Sequence, residues 1–231
     1  MQMGVDLLLE FRHELKYIIS YSDYISLKSK LSGFLELDSN VDLNGEYIVR
    51  SLYFDNFYDK VLNEKINGIN NREKFRIRIY NNNTSLIKLE KKVKLNGLCK
   101  KESEIISINE YYKIISNDID WMKYSSKALI RELYLKMKLE LLKPKMIVEY
   151  IRTPFVYSGC NLRITFDRKI KSSVNDIDIL NFDMPLISKD ENIIIMEIKY
   201  DKFIPDYIKK LIKLKNTSLI AYSKYGNNRL W

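Results

Sequence analysis

Nine residues, REKFRIRIY at 72 to 80, constrain this chain more tightly than any other stretch. Side chains of an extended strand alternate between faces, so Phe75, Ile77 and Ile79 share one side while Arg76 and Arg78 share the other. Such a strand needs apolar cover on one face and water or an anion on the other. The division recurs along the chain. Glu90, Lys92 and Lys94 share a face in LEKKVKLNG, and Tyr150 and Arg152 share one in VEYIRTPF. Arg163, Thr165 and Asp167 do so in LRITFDRKI, and Glu197 and Lys199 in IMEIKY. Near the start, Arg12, Glu14 and Lys16 oppose Phe11, His13, Leu15 and Tyr17.

The same periodicity predicts strands over 9–20, 46–56, 73–81, 85–95, 98–106, 145–157, 161–170 and 192–200. NNNT and LNG supply turns that join three of these into an antiparallel meander. Helical spacing appears at 22–37, where Ser22 or Asp23 can cap a stripe of Leu27, Leu31, Phe34 and Leu35. Short helices are expected at 57–66 and 107–116. A longer one is expected at 126–142, striped by Leu129, Leu133, Met137 and Leu141 and stopped by Pro144. A last helix is expected at 205–214, with Pro205 in its first turn, and the tail AYSKYGNNRLW reads as a short strand or loop. No repeat, low-complexity run or linker divides the chain, so residues 1–231 read as one α+β domain.

The charge balance points to an anion. The 39 basic and 30 acidic residues leave +9, which suits nucleic acid, a membrane surface or a phosphate compound. The polar strand faces use Arg and Lys, with few carboxylates. If helices cover the apolar faces, the charged faces turn inward, and a closed barrel then has a basic lumen. That lumen repels itself unless an anion fills it, and carboxylates in it would offset charge or hold a metal. Arg forks match phosphate oxygens in pairs and Lys acts as a point charge. No GxxxxGK or GxGxxG cradle exists, so side chains would bind the phosphates. Charge neutralisation of this kind suits phosphoryl transfer.

Other features weigh less. Aromatics are not interleaved on the Arg76 and Arg78 face, which argues against specific nucleic-acid binding. His13, the only histidine, faces away from Glu14 and Lys16 and is expected to pack rather than to carry a phosphoryl group. Cys99 and Cys160 lack metal or redox spacing and read as thiols in a reducing compartment. With no apolar run long enough for a signal or a span, a cytoplasmic location is expected. The basic segment YIKKLIKLK at 207–215 reads as the solvated face of a packed helix.

Eight pieces in order carry a resemblance: RHELKY (12–17), SLYFDN (51–56), REKFRIRIY (72–80), LEKKVKLNG (89–97), EYIRTPF (149–155), LRITFDR (162–168), MEIKYDKFIP (196–205) and AYSKYG (221–226). The set resembles the polyphosphate polymerase domain of the vacuolar transporter chaperone (VTC) family, within the triphosphate tunnel metalloenzymes. The resemblance implies a closed antiparallel β-barrel of about eight strands forming a basic tunnel, with helices packed outside. It implies transfer of the ATP γ-phosphoryl group to a growing polyphosphate chain, releasing ADP. By the same resemblance, Arg76, Arg78, Lys92, Arg152 and Arg163 would be the catalytic cations. Lys16, Lys94, Lys101, Ser223, Lys224 and Tyr225 would bind substrate phosphates. Glu197 would hold a divalent manganese or magnesium ion, with Glu14, Glu90 and Lys199 supporting from behind.

Triphosphatase and cyclase members of that superfamily often open with Glu-x-Glu-x-Lys. Here Arg12, Glu14 and Lys16 stand in those places, which favours the polymerase branch. Hydrolysis of triphosphates, or polyanion binding without catalysis, are the alternatives. ATP and polyphosphate are the expected ligands, and any coupling to a membrane would need a separate regulatory or membrane partner protein.

Overall fold

The computed structural model describes residues 11–214 and 218–229. Its strands are β1 (His13–Ile19), β2 (Glu36–Leu37), β3 (Tyr47–Asp55), β4 (Arg72–Tyr80), β5 (Ile87–Leu95), β6 (Leu98–Ile106), β7 (Lys143–Tyr157), β8 (Leu162–Ser173), β9 (Leu186–Ser188) and β10 (Ile194–Tyr200). Its helices are α1 (Tyr21–Ser32), α2 (Lys60–Ile66), α3 (Ile108–Ile115), α4 (Ala128–Leu139), α5 (Asp206–Leu211) and α6 (Lys224–Arg229). The main sheet runs β1-β10-β8-β7-β3-β4-β5-β6, with β2 added on β7 and β9 on β8.

Every pairing is antiparallel, and the sheet curls strongly but does not close. Among the described residues its edges, β1 and β6, meet through one bridge, in which Arg12 and Cys99 exchange backbone hydrogen bonds of 2.9 Å each. The expected closed barrel is therefore an open half-barrel. Part of the free edge of β1 is occupied by the tail: Ile220 N–H donates to the Lys16 carbonyl at 2.9 Å, and the Lys16 ammonium donates to the Tyr222 carbonyl at 3.1 Å. The chain thus meets the exposed edge with a partner rather than with a strand.

The outer face follows the alternation. Phe75, Ile77, Ile79, Leu52, Ile87 and Leu89 are buried in one apolar cluster with Tyr111 and Ile114 of α3 and Leu129, Ile130, Leu133 and Met137 of α4. Beneath α1 and α5, a second cluster unites Leu27, Leu31 and Ile208 with Phe155, Ile164, Phe166 and Met196. Ser20 and Asp23 form a capping box at α1, and Ser107 and Glu110 form one at α3.

The inner face departs from expectation. Val49, Val148 and Ile195 lie on the same side as the cations, yet they join a third apolar cluster with Leu62, Tyr222 and Tyr225. Part of the interior is thus packed core rather than lumen. The tail also departs: residues 224–229 form α6 instead of a strand or loop. Gly226 and two asparagines disfavour helix locally, but Ser223 Oγ accepts from Gly226 N–H and the Tyr225 hydroxyl anchors the turn on Asp55. Pro144 does not end α4, which stops at Leu139; Leu141 has φ of 56°, and Pro144 lies within β7. Among the described residues no helix is long and apolar enough to cross a membrane.

Candidate active site

β4 supplies the densest row of cations because its register on β3 and β5 turns Arg72, Lys74, Arg76 and Arg78 to the concave side. Arg76 sits opposite Glu90, and its guanidinium donates to that carboxylate at 2.7 Å. Arg78 donates to Ser51 Oγ at 2.8 Å and to the Tyr150 hydroxyl at 3.2 Å, with Glu90 3.6 Å away. Lys101 reaches Glu90 from β6 at 3.1 Å. Glu90 therefore holds three cations in place. Burial opposes its ionisation, but Arg76, Arg78 and Lys101 outweigh that and hold its carboxyl far below the usual range.

A second buried carboxylate does the same on the opposite wall. Asp167 accepts from Arg152 Nε at 2.6 Å and from Arg152 Nη2 at 2.8 Å, and it pairs with Lys224. Burial raises its pKa, while Arg152 and Lys224 more than reverse the effect. Tyr150 lies beneath both cations, its ring centroid 5.2 Å from the Arg152 guanidinium and 4.5 Å from the Lys224 ammonium. Its place is at the wall of the lumen as well as in the packing.

β1 and β10 complete the wall. Their register sets Lys16 opposite Glu197 and Glu14 opposite Lys199. Glu14 contacts Lys16 at 3.1 Å and Lys92 at 2.5 Å. Burial and Glu197 push Glu14 up, but Lys16, Lys92 and Lys199 hold it at about 2. Glu197 is buried, lies 3.2 Å from Lys199 and 3.6 Å from Arg152, and is kept ionised by Lys199, Lys16, Lys224 and Lys92 against the cost of burial.

These side chains enclose a cavity of about 230 Å³ whose wall carries twelve lysines and arginines against two carboxylates. A smaller cavity of about 110 Å³ adjoins it, sharing Glu14, Lys16, Lys74 and Lys92, and opens beside the tail between Lys94 and Ser223. So the structure gathers Arg76, Arg78, Lys92, Arg152, Arg163 and Lys16 around one lumen, with Lys101, Lys199, Lys224 and Glu197. Lys94 and Ser223 line the smaller cavity alone. Glu90 lies behind the wall as a socket. Tyr225 is elsewhere: its hydroxyl is committed to Asp55 at 2.7 Å and its ring stacks on Tyr53.

His13 is not packed inside, as the alternation suggested. It is exposed at the rim of the larger cavity and stacks on Tyr200 at 4.8 Å. Arg163 donates to Asp38 at 2.6 Å and to the Tyr47 hydroxyl at 2.9 Å, leaving its buried Nε without a partner.

Lys74 and Tyr53 escaped the sequence reading, and Asp167 was placed on the charged face without a role. Lys74 was legible by spacing, since it lies two residues from Arg76. Tyr53 was not, because a tyrosine in an apolar strand looks like packing until its hydroxyl is seen to accept from Arg76 at 3.3 Å.

Manganese or magnesium asks for hard oxygen donors and is commonly held by one or two carboxylates plus substrate phosphates. Glu197 meets that need: it is ionised, faces the lumen, and sits opposite Thr165, whose buried Oγ1 has no hydrogen-bond partner. Among the described residues no cluster of three or more His, Cys, Asp or Glu side chains forms a complete protein-only site. The donor set thus fits an ion whose shell is finished by phosphate.

Among solved structures, a candidate adenylate cyclase of Bacillus halodurans is 15% identical, with a TM-score of 0.51 covering 87% of this chain and 86% of that one. A conserved hypothetical protein of Pyrococcus furiosus (13% identity, TM-score 0.44, 87% and 85% covered) is more distant. At these identities the likeness is one of fold. No curated protein matches the chain. The family model described as the VTC domain matches residues 11–230. The likeness to solved structures supplies the fold, and the family match makes the assignment: the chain belongs to the VTC domain family.

Proposed function

We propose that the chain is an ATP-dependent polyphosphate polymerase. The observation that carries this reading is the lumen itself: forked arginines and lysines fixed by buried carboxylates behind them, with no glycine-rich cradle and no protein nucleophile required. Arg76, Arg78, Arg152 and Arg163 would grip non-bridging oxygens of the transferring group and its neighbours. A terminal oxygen of the acceptor chain forms the new P–O bond as the bond from the γ-phosphorus to the β–γ bridging oxygen breaks, and ADP leaves with that oxygen. Charge spreads over the phosphoryl oxygens in the transition state, so cations already oriented by Glu90 and Asp167 stabilise it with little reorganisation. Glu197, with Thr165 beside it, would hold the divalent ion, whose contribution when bound is further charge neutralisation. The smaller cavity extends the path past Lys16 and Lys92, which gives an acceptor chain room beyond the nucleotide.

Purified protein with ATP and manganese is expected to yield ADP and polymer, and Arg78→Ala is expected to lower the rate by about a hundredfold or more. Orthophosphate as the sole phosphate product would identify a tunnel triphosphatase instead. Tripolyphosphate binding with no metal-dependent turnover would identify a binding module.

A further inference from the structure

Lys74 differs from the other cations that line the larger cavity. Lys16 and Lys92 contact Glu14, Arg76 and Arg78 face Glu90, and Arg152 and Lys224 face Asp167. Lys74 has no carboxylate within 4 Å among the described residues. Its Nζ lies 5.4 Å from the ring centroid of Tyr53. It also lies at the junction of the two cavities, lining both.

The groups that face this position are mostly positive. Lys92 lies directly across on β5, Arg72 and Arg76 flank it on β4, Lys16 and Glu14 approach from β1, and Lys65 approaches from α2. From α6, Lys224 acts on Tyr53. We propose that Lys74 binds phosphate at this junction and that Lys74 and Tyr53 together take up protons from solvent as the phosphate arrives. The inference rests on the reading of the lumen as a phosphate path.

The electrostatics agree. Burial, with Lys92, Lys16 and Arg76, brings Lys74 down to about 7 although Tyr53 opposes the shift. Burial raises Tyr53, but Arg76, Lys74, Arg78 and Lys224 bring it to about 7. Phosphate charge reverses the field at both groups, so the amine gains a proton to become ammonium and the phenolate gains one to become phenol. No bond to phosphorus changes in this step.

Calorimetric titration with inorganic tripolyphosphate at pH 8, in two buffers of different ionisation enthalpy, reads the proton count directly. Wild type is expected to take up about one proton more than Lys74→Met. Lys74→Met is expected to bind about tenfold more weakly. Lys74→Arg, which stays charged throughout, is expected to bind nearly as wild type but with the reduced uptake. If Lys74→Met does not fold, Lys74→Arg alone decides the uptake. Equal uptake in wild type and variant overturns the inference while the phosphate reading stands. No tripolyphosphate binding by wild type overturns both.

Discussion

At the scale of single residues, the lumen is an arrangement of buried carboxylates that orient cations. Asp167 is the clearest case, because it is fully buried and shared by Arg152 and Lys224. Replacing it by Asn leaves two enclosed cations with less compensation, and a loss of about 3–5 kcal/mol in urea-denaturation stability is expected. The pH dependence follows from Glu14. Its folded pKa is depressed from 4.5 to about 2, so its contribution is present above the ordinary carboxylate range and is lost as pH falls from about 5 toward 2. Glu14→Gln is expected to flatten the melting-temperature profile in that acid window, read by scanning calorimetry. Lys74 has the opposite sense. Its folded pKa is lowered, so folding is penalised increasingly as pH falls from 10.5 toward 7, and Lys74→Met is expected to melt about 2–4 °C higher at pH 7.

At the scale of elements, β4 joins the two faces on which the fold depends. Ile77 is fully buried under α3 and α4, whereas Arg78 points to the lumen. Ile77→Ala is therefore expected to cost about 2–5 kcal/mol and to leave tripolyphosphate affinity intact. Arg78→Met is expected to cost less stability and to lose the affinity. Parallel urea melts and calorimetric titrations check the pair. Much of this was legible in REKFRIRIY, because a two-residue period assigns faces without knowledge of the partner strands. The direction of those faces needed the helices, and the stripe at Leu129, Leu133 and Met137 supplied them. Less legible was α6, whose Gly and Asn residues have poor helix propensity and whose stability comes from tertiary contacts through Ser223 and Tyr225. Nor could alternation reveal that Val49, Val148 and Ile195 face inward as core, since an apolar residue on a charged face is set by what packs above it.

At the scale of the whole molecule, the curled sheet remains open where β1 and β6 share one bridge among the described residues, and the tail lies along the free edge of β1. The resemblance implied a closed barrel, but closure depends on a continuous ladder between edges that no single strand pattern reports. The concentration of positive charge in one lumen predicts strong linkage between anion binding and stability. Tripolyphosphate at a hundred times its dissociation constant is expected to add about 2.7 kcal/mol, or roughly 5–10 °C in melting temperature, and this gain should shrink as salt rises.

The central claim is that this lumen moves phosphoryl groups from ATP onto a phosphate chain. Its most direct test is to incubate the protein with γ-labelled ATP and manganese and to follow ADP alongside label retained in gel-resolved polymer. The account predicts one label incorporated into polyphosphate for each ADP formed, and loss of both in Arg78→Ala. ADP accompanied only by labelled orthophosphate would contradict it.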